Sequence, residues 1–167
     1  EQHITADVAI AFWNYYTMTQ DQDFLEASWE LLKETADFWV SRAVKNSDGS
    51  YSINNVVGAD EYAQHINDNA FTNGSAVETL RNTIKAAKIL GQKADPQWKL
   101  LADGLRIISQ DGITMEYDGY AGEMIKQTDV NLLAYPLHVI TDKAQIERDL
   151  DYYAEKIDKK DGPAMAH

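Results

Sequence analysis

The residues best able to do chemistry crowd into one segment. From Gly58 to Asn73 the chain reads GADEYAQHINDNAFTN, which brings Asp60, Glu61, His65, Asn67, Asp68, Asn69, Thr72 and Asn73 together just before a helical pattern. A carboxyl that keeps its proton can act as a general acid, and a like charge beside it favours the protonated form when the side chains converge. Asp60 and Glu61 are such neighbours. The cluster has three readings. Its carboxylates could hold a metal, although the spacing does not follow a calcium loop. It could be an elaborate helix start capped by Asn73 or Ser75. It could be a sugar site, with an acid working among amides and hydroxyls that bond sugar hydroxyls. Absence of cysteine removes thiol nucleophiles, disulfides and zinc–thiolate sites.

Six helical patterns are expected to position this cluster. The first runs from about His3 to Thr19, with Ile4, Val8, Phe12 and Tyr15 as its apolar stripe. The second opens at an Asp23–Glu26 capping box, with Asp21 as a rival cap. It carries Leu25, Trp29, Leu32, Ala36, Trp39 and Ala43 at helical spacing. The third is expected from Ser75, boxed by Glu78, with Gly91 closing it. The fourth starts at Asp95-Pro96 and continues through Trp98, Leu101, Leu105 and Ile108. A fifth covers about Thr128 to Ile140, with Pro136 kinking it or expelling its first turns. The sixth spans Asp142 to about Ile157, with Ile146, Leu150 and Tyr153 inward.

Two long connections break the rhythm, Ser47 to Asn73 and Ser109 to Gln127. Tyr51, Ile53 and Val56-Val57 suit a short strand in the first. Loops this long inside a compact domain are usually functional or disordered, and the polar and aromatic content here favours ordered functional loops. Short turns alternating with long loops predict an all-α fold, a barrel of helical hairpins whose long loops gather at one mouth. The four tryptophans, Trp13, Trp29, Trp39 and Trp98, fall on helical stripes and read as core. Tyr62, Phe71, Tyr117 and Tyr120 lie in or beside the loops and could stack on sugar rings. His65 reads as a loop hydrogen-bonder and His138 as structural.

The formal net charge of −12 opposes nucleic-acid binding, which needs a basic face, and opposes anionic membrane surfaces for the same reason. No run of apolar residues reaches the roughly 20 of a membrane span. Nothing in the composition fixes a compartment. Both ends of the 167 residues fall against structured patterns, so the chain is read as a piece of a larger catalytic domain, whose remainder is its expected partner.

The Gly58–Asn73 segment resembles the catalytic motif of glycoside hydrolase family 65, approximately G-P-D-E-Y-H followed by V-D-N-N-A-Y-T-N. Ala59 and Ala63 depart from it, and Asn67-Asp68 inverts the commoner order. Two further stretches resemble the same family. Glu1-Gln2-His3-Ile4 to Asp7-Val8-Ala9 is similar to E-I-H-I-x-x-D-V-A, and Lys126-Gln127-Thr128-Asp129-Val130 to K-Q-A-D-V. The resemblance implies a part of a six-hairpin α/α barrel and inverting cleavage of an α-glucosidic bond in a disaccharide or terminal α-glucosyl unit. It makes Glu61 the general acid and gives Lys126 and Gln127 contacts to the departing glucose. Asp60, Tyr62, Asn69 and His3 are carried over as substrate-binding residues. No cofactor or metal is implied. Glu61 is expected in surroundings that favour its protonated form.

Family phosphorylases resemble S-S-L-S after Y-Y-E-x-R. Here Tyr152-Tyr153-Ala154-Glu155-Lys156 leads to Asp161-Gly162-Pro163-Ala164-Met165-Ala166-His167 instead, without side-chain hydroxyls to hold phosphate. The Gly162–Met165 stretch is similar to the hydrolytic branch, which acts on α-1,2-linked glucose such as kojibiose. Hydrolysis is therefore the reading, with an inverting phosphorylase as the alternative. The resemblance puts the catalytic base beyond His167. Glu116, Asp118 and Glu123 are conceivable stand-ins, and the chain alone is expected to be inactive. A non-catalytic carbohydrate-binding module and a helical scaffold are the rivals from other classes.

Overall fold

A computed structural model describes residues 1–161. Helix α1 (His3–Thr19) and helix α2 (Gln22–Arg42) form a hairpin. Its turn is tight because Gln20 takes a left-handed conformation while Asp21 caps α2, accepting from the Phe24 amide at 2.9 Å. The rival cap thus prevails over Asp23. A two-stranded hairpin of β1 (Ala43–Lys45) and β2 (Tyr51–Ile53) follows, in antiparallel register with Val44 opposite Ser52. Helices α3 (Ala70–Ile89) and α4 (Pro96–Gly104) make the second helical hairpin. Pro96 starts α4 behind the Asp95 cap, where a missing N–H costs nothing. A second small hairpin, β3 (Ser109–Gln110) with β4 (Ile113–Thr114), leads to a 3-10 turn at Val130–Leu133 and then to α5 (Lys143–Ala154).

Helix α3 is the hub. It packs against α1, α2, α4 and the 3-10 turn. Small side chains let these neighbours approach: Ala70, Gly74, Ser75, Ala76, Thr79, Thr83, Ala86 and Ala87 are all buried. Gly74 is required there, since a Cβ would overlap the Leu133 side chain. One apolar cluster joins α2, α3 and α4 through Trp39, Leu80, Trp98 and Leu101. Another lies under the second long loop, around Tyr120, Ile125, Leu133, Leu137 and Tyr153.

Four expectations are corrected. Helix α3 starts at Ala70, not Ser75, because Asn69 is the cap and accepts from both the amide and the hydroxyl of Thr72, at 2.8 and 2.7 Å. The fifth helix is absent, leaving only the 3-10 turn. Pro136 cannot donate to a preceding carbonyl and disfavours helix at Tyr135, and the Tyr135–Pro136 bond is cis. The third expected helix pair is accordingly one helix, α5, ending at Ala154. Finally, α1 buries His3, Ala6, Ala9, Trp13 and Tyr16, so the stripe of Ile4, Val8 and Tyr15 faces outward, each about half exposed. Small residues win the inner face because α3 lies close. Trp13, Trp39 and Trp98 are buried as expected, and Trp29 is partly so. Among the described residues no helix is long and apolar enough to cross a membrane. Gly162 to His167, which carry the expected phosphorylase-versus-hydrolase signal, lie outside the described residues.

Candidate active site

The two long loops meet over the N-terminus of α3. The turn 58–61 faces the turn 126–129, and three bonds from Lys126 and Gln127 help hold them together. The Lys126 amide donates to Asp60 Oδ1 at 2.8 Å, Lys126 Nζ pairs with Glu61 Oε2 at 2.5 Å, and Gln127 Nε2 donates to the Ala59 carbonyl. Glu61 and Lys126, 65 residues apart in sequence, are thus brought into direct contact. The Glu61 side chain is 54% exposed and faces a cation. The enclosure expected around it is therefore not supplied by the described residues. The carboxylate of Glu61 raises the proton affinity of the Lys126 amine, which stays charged.

Asn69 joins the loops from beneath. Besides capping α3, its amide donates to the Glu116 carbonyl at 3.2 Å and to Asp129 Oδ2 at 3.1 Å. Both ends of the side chain are engaged and it has no exposed surface. It therefore sits as a structural bridge, not as a residue reaching into solvent. Gly58 is needed beside it, because a Cβ would come within 2.6 Å of Asp129 Oδ2 and 2.7 Å of Asn69 Nδ2. Tyr62 is about half exposed, and its hydroxyl donates to Asp158 Oδ2 at 3.1 Å. His3 is buried against Phe71, with ring centroids 5.3 Å apart, and desolvation lowers its pKa. Among the described residues its Nδ1 has no hydrogen-bond partner, while the ring bonds the Val57 backbone.

Of the aromatics expected to stack on sugars, Phe71 and Tyr120 are buried. Phe71 holds His3 and Tyr120 stacks on Tyr153, so both serve the core. Tyr62 and Tyr117 line a cleft of about 130 Å3 with Asp60, Glu116, Glu123 and Met124. His65 Nδ1 lies 2.9 Å from Asn55 Oδ1, a loop bond as expected. Asp68, in the inverted Asn67-Asp68 pair, is buried and accepts from Ser52 Oγ, Asn73 Nδ2 and Arg106 Nη1 at 2.8, 3.0 and 3.2 Å. It ties the first loop to α3 and to the chain after α4.

Sequence reasoning gave no role to a buried acidic cluster beneath the loops. Asp60, Glu116 and Asp129 are each 1% exposed. Burial pushes the Glu116 carboxyl up to about 10, with the charges of Asp129 and Asp60 adding to it. Burial likewise raises Asp129 to about 7, opposed by the hydrogen bond from Asn69. Glu116, weighed above as a stand-in base, is thus buried beside the cleft in surroundings that favour its protonated form. Glu123 stays at the surface, where Oε2 accepts from the Ala121 amide at 2.8 Å. Each of the three had a separate sequence signal, Asp60 beside Glu61, Glu116 as a loop carboxylate and Asp129 inside the Lys126–Val130 stretch, but nothing local shows that they converge.

The two loops thus form a polar mouth over a hub of helical hairpins, with an acid and a cation in contact. Residues 1–120 match the glycosyl hydrolase family 65 central catalytic domain, and the chain belongs to that family. It is 53% identical over 167 residues to a kojibiose hydrolase of Flavobacterium johnsoniae, and 50% identical to one of Mucilaginibacter mallensis, with 99% of the chain aligned to each. It is 38% identical to a protein-glucosylgalactosylhydroxylysine glucosidase of Dictyostelium discoideum. The chain spans about a quarter of the length of these relatives. A solved structure described as a kojibiose phosphorylase from human microbiome superposes with a TM-score of 0.81 over 92% of the chain and 28% of its own length. At 19% identity that likeness establishes the α/α-barrel fold and no more.

Proposed function

We propose that the enzyme containing this chain hydrolyses an α-glucosidic bond with inversion, acting on a kojibiose-type disaccharide or a terminal α-glucosyl unit. The contact of Glu61 with Lys126 across two distant loops carries the reading. Glu61 is the general acid that protonates the glycosidic oxygen, while water attacks the opposite face of the sugar. Its base is a carboxylate roughly 6.5–9.5 Å away, supplied by another part of the enzyme. Lys126 holds Glu61 before substrate arrives. When its ammonium turns to a sugar hydroxyl, Glu61 loses its cation and the sugar shields it from water. Both changes favour the protonated carboxyl that the reaction needs.

Gln127 and Tyr62 complete the contacts to sugar, while Asp60 and Asn69 fix the loops rather than touch the substrate. His3 orders the aromatic floor beneath. The outward stripe of Ile4, Val8 and Tyr15 on α1 suits packing by the remaining hairpins of the barrel, so residues 1–167 are part of one catalytic domain. Relatives named as hydrolases at 50% identity and above favour water over phosphate as the nucleophile. The test is proton NMR of the full-length enzyme with kojibiose, with and without phosphate. β-Glucose formed without phosphate, and lost in Glu61→Gln, is the expected result. Turnover that requires phosphate and yields β-glucose 1-phosphate would instead make the enzyme a phosphorylase.

A further inference from the structure

The acidic cluster under the loops has a use that the acid–base reading leaves unassigned. Among the described residues no N–H or hydroxyl donates to either carboxyl oxygen of Glu116, although both oxygens are buried beside the cleft. The Asp60 carboxyl lies within hydrogen-bonding reach of it. Two acceptors can bond only when a proton lies between them, and two buried anions so close would repel strongly. Glu116 is fixed from behind, since its carbonyl accepts from the Ala70 amide at 2.8 Å and from Asn69 Nδ2. Asp60 in turn receives the Lys126 amide. A continuous path therefore runs from the start of α3 through Glu116 and Asp60 to both turns of the mouth.

We propose that Glu116 is a positioning residue: its protonated carboxyl donates to Asp60 and so locks the 58–61 turn, with Glu61 at its end, against the turn carrying Lys126 and Gln127. The positioning role rests on the function proposed above, whereas the hydrogen bond does not. The ionisable groups facing Glu116 are Asp60, Asp129, Glu123, Tyr120, Tyr117 and Tyr153. None of these groups is a cation, so deprotonation of Glu116 adds a negative charge beside the carboxyls of Asp60, Asp129 and Glu123 and pushes the 58–61 turn off its support.

The experiment uses the full-length enzyme, its Glu116→Gln variant, which keeps a donor, and Glu116→Ala, which does not. Difference infrared spectra read the carbonyl stretch of a buried protonated carboxyl without reference to turnover. The band is expected in the wild type at about pH 8.5, above the value of about 7 to which Asp129 is raised, and it is lost in Glu116→Gln and at more strongly alkaline pH. Misplacing the acid by about 1 Å costs on the order of a hundredfold in kcat, which is the loss expected of Glu116→Ala. Glu116→Gln should retain roughly tenfold more of kcat than Glu116→Ala, with KM little changed. Absence of the band, its survival in Glu116→Gln, or its loss on adding magnesium or calcium to the wild type each overturns the proposal. So does a Gln variant no better than Ala. Should Glu116→Ala not fold, the infrared band and the Gln variant decide alone. A band in an enzyme that cleaves no α-glucoside supports the hydrogen bond and removes the proposed function.

Discussion

Replacing Gly58 with alanine tests how tightly the two turns are clasped. The added Cβ would stand 2.6 Å from Asp129 Oδ2 and 2.7 Å from Asn69 Nδ2, about 0.8 Å inside the 3.4 Å where ordinary contact begins. Neither neighbour can swing away. Asn69 is bonded at both ends of its amide, and Asp129 is buried beneath it. Gly58 is not in the left-handed region, so backbone strain does not enter. Overpacking of this kind costs roughly 1–3 kcal/mol, offset by roughly 0.4–1 kcal/mol from the stiffer unfolded chain. A net loss of about 1–2 kcal/mol corresponds to a few degrees at most, on the order of 1–4 °C, in the melting temperature of the larger catalytic domain. The loss is measured by following helix unfolding by circular dichroism, with kcat measured beside it. Activity should fall more than stability, because the displaced Asp129–Asn69 bridge sits directly under Glu61 and Lys126. An alanine variant that melts and turns over like the wild type would refute the reasoning, since the clasp would then have slack.

Two further outcomes follow from the same geometry. Lys126→Ala should raise KM for the α-glucoside by about tenfold while leaving the melting temperature near wild type, because exposed ion pairs contribute little to folding. An unchanged KM with a collapsed melting temperature would make Lys126 structural. Stability should also fall as pH rises from 5 to 9. Glu116 and Asp129 bind protons more tightly folded than unfolded, with values pushed up to about 10 and about 7 from 4.5 and 3.8. Their contribution is complete below the unfolded values and is lost as pH climbs toward the folded ones. The slope is on the order of 1 kcal/mol per pH unit for each group up to about pH 7, and above that Glu116 alone carries it. Thermal melts across that span check it, and a melting temperature that rises with pH contradicts it.

Local signals located the helices better than their orientation. The Asp95-Pro96 start of α4 and the hairpin of α1 with α2 follow from capping chemistry within a few residues. Which side of α1 faces inward does not, because His3, Ala6, Ala9 and Trp13 fit helical steps of three and four as well as Ile4, Val8, Phe12 and Tyr15 do. The choice is made by α3, whose small residues admit a close neighbour. The start of α3 was ambiguous for a related reason. Asn69 and Ser75 are both competent caps, and the contacts that favour Asn69 reach 47 and 60 residues along the chain. Glu61, Lys126 and Gln127 were legible as motifs. The buried partners beneath them were not, since a loop glutamate such as Glu116 looks solvated until the fold closes over it.

The second long loop is fastened unevenly. The Glu116 carbonyl accepts from the Ala70 amide at 2.8 Å, the Asp118 amide donates to Asn67 at 3.0 Å, and the Ile125 amide donates to Lys156 at 3.0 Å. Between these anchors, Gly119, Ala121 and Gly122 carry little side-chain bulk, and nothing crowds the Cβ position of Gly119. Freedom to change is therefore confined to single positions, Ala121, Glu123 and Met124, which face solvent, whereas Gly119 and Gly122 hold left-handed backbone and Tyr120 is buried against Tyr153. The loop is a rigid arch with a few replaceable faces, and exchanges at those faces leave the Glu61–Lys126 contact where it is.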